Sequence, residues 1–190
     1  MGEGVMMARI CTIALLLAGV VGCASTAPPP DDRGIFQRRN EGYSILYQLL
    51  KDESKVGGIL ILKSTDASLE KLVREIANTC DTARKQMDEF ARSDASIHFD
   101  VPNLPYMEQR SRDLESDDET KSLLFSGGDE FAVRLIFTQG EAMNYAKELT
   151  RALAQKEQDP VRKKFFTDLA KQCGDYHEQL MKMLAFHPSH

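Results

Sequence analysis

The chain has 190 residues, 42% of them hydrophobic and 28% charged, which suffices for one globular domain of ordinary size. Its formal net charge is -5, with acids and bases interspersed. A mildly acidic chain of this kind lacks the basic patch that neutralises phosphates, so no nucleic-acid partner is expected.

The N-terminus reads as an address. Arg9 precedes an apolar run from Ile10 to Val21, followed by Gly22 and Cys23. About a dozen apolar residues suit the core of a signal peptide, whereas a membrane span needs about twenty. Removing residues 1–22 takes Glu3 and Arg9 together and leaves the net charge unchanged. Met6 and Met7 stand directly before Ala8 and Arg9, so a start at either, rather than at Met1, gives a more ordinary basic N-region. The string Val20-Val21-Gly22-Cys23 resembles the lipobox of bacterial lipoproteins, with Val20 where leucine is commoner. That resemblance implies cleavage before Cys23 and a diacylglyceryl group on its thiol. With N-acylation, three chains would hold the protein firmly where a single chain is marginal. Residues 23–40, with Pro28, Pro29 and Pro30, are expected to form an extended tether from the bilayer. Ala24 after the cysteine, in place of aspartate, implies by the same resemblance the outer membrane rather than the inner, with the domain in the periplasm.

Residues 41–186 carry helical periodicity. Tyr43, Leu46, Leu49, Leu50, Val56 and Leu60 mark a first helix from about Glu41 to Leu62, weakened at Gly57-Gly58. Ser64, Thr65 and Asp66 supply turn and N-cap chemistry for a second. Its apolar row is Leu69, Leu72, Val73, Ile76, Cys80, Ala83, Met87 and Phe90. The pattern breaks after Ser93, where His98, Phe99, Val101, Pro102 and Pro105 read as an extended linker. With the acidic stretch Glu115 to Glu119, read as the solvated start of a helix, this makes a long crossover over 93–127. From Phe131, the row Leu135, Gln139, Ala142, Ala146, Leu149 and Leu153 marks a third helix. Asp159-Pro160 opens a fourth, with Phe165, Phe166, Leu169, Cys173, Leu180 and Leu184 facing inward.

The segments Asp66 to Cys80 and Asp159 to Cys173 match in length and register, pairing Leu72 with Phe165, Val73 with Phe166, Ile76 with Leu169 and Ala77 with Ala170. The expected fold is therefore all-α: an antiparallel four-helix bundle made of two repeated helical hairpins, over 41–92 and 128–186, joined by the crossover. The text from Phe131 to Leu180 resembles the second hairpin of ferritin-like bacterial envelope proteins, a group whose membership implies the bundle but no particular activity.

Gly127 to Phe131 spell GGDEF, the signature of diguanylate cyclases, where it forms a turn between two strands. Here helical periodicity follows it, so we read it as a chance match at a helix start, with Asp129 and Glu130 at the positive end of the dipole. Ferritin-like bundles often hold two metals on a glutamate from each of two helices and a Glu-x-x-His from each of the others. No Glu-x-x-His occurs here, but Glu53 and Gln139 lie in apolar rows, and Asp175 and His177 lie on the fourth helix. Cys80 and Cys173 occupy equivalent repeat positions, and two readings stand: a disulfide in an oxidising envelope, or two separate buried cysteines packed as small apolar side chains. His98, His177, His187 and His190 have no evident nucleophile beside them.

These residues support a non-enzymatic, membrane-anchored lipoprotein that acts as an interaction or structural module, without cofactor, on an envelope protein yet to be identified. The alternative is a ferritin-like metal-binding protein or oxidase with a degenerate site using Glu53 and His177. A third class is a small-ligand carrier with a groove near Gly57-Gly58.

Overall fold

A computed structural model describes residues 32–100 and 105–185; the signal segment, Cys23, the three prolines of the tether, His187 and His190 lie outside them. All regular structure among the described residues is helical: α1 (Asp32–Glu53), a 3-10 turn (Val56–Gly58), α2 (Ile59–Leu62), α3 (Ala67–Ser93), α4 (Tyr106–Phe125), α5 (Gly128–Lys156) and α6 (Pro160–Ala185). None of these helices is long and apolar enough to cross a membrane.

The two repeat segments are capped alike. Asp66 Oδ1 accepts from the backbone N–H of Ser68 and Leu69, and Asp159 Oδ1 accepts from those of Val161 and Arg162. Each aspartate thus satisfies two of the N–H groups left open at a helix start. The register continues into the core, where Val73 and Phe166, Ile76 and Leu169, Ala77 and Ala170, and Cys80 and Cys173 are all buried. Gly128 begins α5 with φ +57, a left-handed conformation that a side chain would strain, and Phe131 closes that first turn fully buried. The GGDEF string is therefore a helix start, with its acids in the first turn.

Side chains from α1, α3, α5 and α6 supply most of one continuous core, with Leu60, Ile97 and Leu123 added from the connections and α4. The most extensive pairing is α5 with α6, and α1 lies against α3 and α5. Where α6 meets α5, His177 Nδ1 pairs with the Gly140 carbonyl at 2.9 Å, and the missing side chain at Gly140 leaves room for the Met181 methyl.

Three boundaries differ from the sequence reading. Residues 32–40 belong to α1, not to the tether, because the turn from Gln37 to Asn40 gains partners: Gln37 bonds to Glu41, and both Arg39 and Asn40 bond to Ser96. The first helix stops at Glu53, and the chain reaches Leu62 through a 3-10 turn containing Gly57 and Gly58. Most of the crossover is helical, as α4, and the acids 115–119 lie inside that helix rather than at its start.

Candidate functional site

A polar pair set among apolar side chains joins the end of α1 to α5. Gln139 on α5 is 4% exposed, and its Nε2 donates to Glu53 Oε2 at 2.9 Å, while its Oε1 has no hydrogen-bond partner. Burial pushes the Glu53 carboxyl up to about 7; the bond from Gln139 opposes that, and the charges of Asp52 and Glu119 reinforce it. Behind the pair lie Cys80 on α3 and Cys173 on α6. Burial, then the charges of Glu53 and Cys173, raise the Cys80 thiol, and burial followed by Glu53 raises that of Cys173. Glu53, Gln139, Cys80 and Cys173 thus form one neighbourhood fed by four helices.

The structure does not assemble the other expected sites. His177 is held on the Gly140 carbonyl, whereas Glu53 is held by the Gln139 side chain. Asp175 is engaged by Lys171 at 2.6 Å. Among the described residues no group of three or more histidine, cysteine, aspartate or glutamate side chains is placed to hold a metal ion. Glu53 and His177 are therefore not joined in a ligand set. The Cys80–Cys173 bridge is not formed either: both are free, buried thiols, each occupying core volume as a small apolar side chain.

A second polar cluster, around Tyr43 midway along α1, has no counterpart in the sequence pattern. The Tyr43 hydroxyl donates to the Glu157 carboxylate, which also accepts from the Gln158 and Asp159 N–H groups and pairs with Arg162 at 3.2 Å. Arg162 reaches on to Asp94, which pairs with Arg39. Burial works against the Glu157 charge, but Arg162, Tyr43 and the Asp159 N–H together hold its carboxyl below the usual range. In the sequence Tyr43 stands only as an apolar member of its row; a tyrosine among leucines, with an acid just before the capping Asp159, is the one signal there that points to the cluster.

Two clefts open on the surface. One, about 460 Å³, lies between α3 and α6 with Thr79, Gln86, Phe165 and Gln172 in its walls; the other, about 430 Å³, lies between α5 and α6 beside Lys147 and Gly174. Neither includes Gly57 or Gly58, where the carrier reading placed its groove.

No protein-family model matches the chain, and no curated protein matches it. Among solved structures it is similar to that of DUF305 from Streptomyces coelicolor, a protein taken to be secreted, at 15% identity and a TM-score of 0.59, over 83% of this chain and 96% of that one. At such identity the likeness concerns the fold alone, and it agrees with an all-helical domain.

Proposed function

We propose that the chain is a lipid-anchored envelope protein whose helical domain is an interaction or structural module rather than an enzyme. The observation that carries this reading is how the inward polar groups are used. Gln139 holds Glu53, the Gly140 carbonyl holds His177, and Arg162 with Tyr43 holds Glu157, so these side chains join helices to one another. The secreted character attributed to the similar Streptomyces coelicolor protein agrees with an extracytoplasmic location. In this reading α1, α3, α5 and α6 are two helical hairpins forming an antiparallel four-helix bundle of the ferritin-like kind, with α4 in the crossover. The matched Asp66 and Asp159 caps and the shared burial register support a duplicated hairpin. Cys23 carries the lipid, residues 24–31 lead from it to α1, and the partner is another protein of the envelope, at the outer membrane.

The test is metabolic labelling with an alkyne palmitate in a host that processes lipoproteins, followed by membrane fractionation and formaldehyde cross-linking. Label on the wild type, its loss in Cys23→Ala, and a discrete cross-linked species in the outer-membrane fraction are expected. An unlabelled soluble protein, cross-linked to nothing, would overturn the reading.

A further inference from the structure

Two uncharged rows face each other across the cleft between α3 and α6. Thr79 bonds to Tyr176 at 2.9 Å, the Phe90 and Phe165 rings meet edge-on with centroids 5.2 Å apart, and Asp94 pairs with Arg162, so the two helices run antiparallel. The α3 wall is Asn78, Thr82 and Gln86, whose four-residue spacing puts them on one face over about 12 Å. The α6 wall is Phe165, Leu169 and Gln172. Exposed charges flank both rows, Glu75 and Lys85 on α3 and Lys164 and Lys171 on α6. Asp168, an acid in the lining, is engaged by Lys164 at 2.5 Å, so none of the described residues of the cleft carries an unpaired charge. The walls are held in place yet keep bonding capacity. Gln172 Nε2 donates to Thr79 Oγ1 at 3.3 Å and to the Tyr176 hydroxyl at 3.4 Å, tying the helices at one end, while the Phe90 edge fixes the half-buried Phe165 ring at the other. The side-chain amides of Asn78 and Gln86 bond to no described residue, so each offers donors and an acceptor to the cleft.

We propose that this cleft binds an uncharged glycan, whose hydroxyl or acetamido groups bond to the Asn78, Gln86 and Gln172 amides while one sugar face rests on the Phe165 ring. A side-chain amide donates and accepts at once, which matches neighbouring groups on a sugar that do the same. The Phe165 ring supplies the apolar surface that the C–H face of a pyranose needs, and a few placed polar groups beside such a surface are the usual makings of a small-ligand site. An ion gains little here, because Asp168 already has its cation. A peptide is matched less well. The walls are helices, whose backbone groups are bonded internally and give an extended strand no edge to pair with. An amphipathic helix needs an apolar stripe, and the floor residues Ala83 and Leu169 are only 5% and 4% exposed.

Saturation-transfer difference NMR on the full chain, in a detergent without a sugar headgroup, tests this with two probes, the N-acetylglucosamine tetramer and the glucose tetramer cellotetraose. Saturable transfer is expected, with a Kd on the order of a millimolar. A preference for the acetylated tetramer would put its acetamido groups on the amides, and equal binding would put the hydroxyls there. Asn78→Ala and Gln86→Ala change exposed side chains that hold nothing in the fold, and each should weaken binding about fivefold. Gln155→Ala, in the cleft between α5 and α6, should leave it unchanged. Transfer to neither sugar at about 10 mM would overturn the assignment. So would binding that survives the Asn78→Ala, Gln86→Ala double variant, or transfer to an acetylated and amidated polar tetrapeptide in preference to both sugars.

Discussion

Between about 4.5 and about 7 the folded chain holds a proton on Glu53 that an unfolded chain has released, because burial raises this carboxyl. The native state then binds more protons than the unfolded one, so this group's contribution is fully present below the lower value and is lost as pH rises through the upper. Its loss costs on the order of 1–3 kcal/mol, allowing for partial exposure. Glu53→Gln is therefore expected to raise the urea midpoint at about pH 8 and to change it little at about pH 4.5, which paired denaturation curves would show; equal shifts at both would contradict the assignment. Glu157 works the other way. Its carboxyl is held low, so its stabilisation is present above the ordinary value and disappears as pH falls through the lowered one. Removing its cation by Arg162→Met should cost about 3–5 kcal/mol near neutrality, since it leaves a buried charge supported only by Tyr43 and the backbone. Tyr43→Phe, which keeps the ring packing, should cost only about 1–2 kcal/mol, and thermal melts of the two variants would rank them. The Glu53–Gln139 bond was half legible, since both side chains stood in apolar rows where an uncompensated polar group is costly. The Tyr43–Glu157 bond was not, because periodicity counts a tyrosine as apolar and says nothing about its hydroxyl.

At the scale of elements, legibility followed the apolar pattern. Helices α3, α5 and α6 each bury a long stripe and start on recognisable residues, so their existence and register were readable. Helix α4 buries one side chain, and a pattern method has nothing to detect where almost nothing is buried. The early start of α1 depends on Arg39 and Asn40 reaching Ser96, a pairing across more than fifty residues that no local window contains. The break at Glu53 was partly visible, because Gly57-Gly58 weakened the helix, but the exact stop depends on packing. The matching caps make a quantitative prediction. Asp66→Ala and Asp159→Ala each remove an acceptor from two backbone N–H groups, so each should cost about 1 kcal/mol. The sites lie at the starts of different helices, so the double variant should show the sum. Urea midpoints of the three variants check this, and a double variant much weaker than the sum would mean that the two helix starts are coupled.

For the whole molecule, Cys80 and Cys173 act as paired reporters of how the domain opens. Each lies at the same repeat position, one on α3 and one on α6, and each is about 1% exposed with its thiol pushed above the ordinary range. A thiolate is the species that alkylates, so both are doubly protected, by burial and by the scarcity of the reactive form. In the native protein neither should react at an appreciable rate, and labelling should require an opening that separates α3 or α6 from the core. If these helices form a single cooperative unit, both cysteines should be labelled at the same rate, and that rate should rise with urea along the slope of global unfolding. Faster labelling of Cys173 alone would mean that α6 detaches before the rest, although it packs along α5 more extensively than any other pair of helices does. Peptide mass spectrometry of partially alkylated protein separates these outcomes. The same measurement on protein isolated from the envelope without reductant reads the oxidation state: two labels after full unfolding correspond to the free thiols of the structure. No label until reductant is added would show that the repeat-related cysteines become bridged in an oxidising compartment, a cross-link of α3 to α6 that closes a loop long enough to add on the order of 4 kcal/mol to stability.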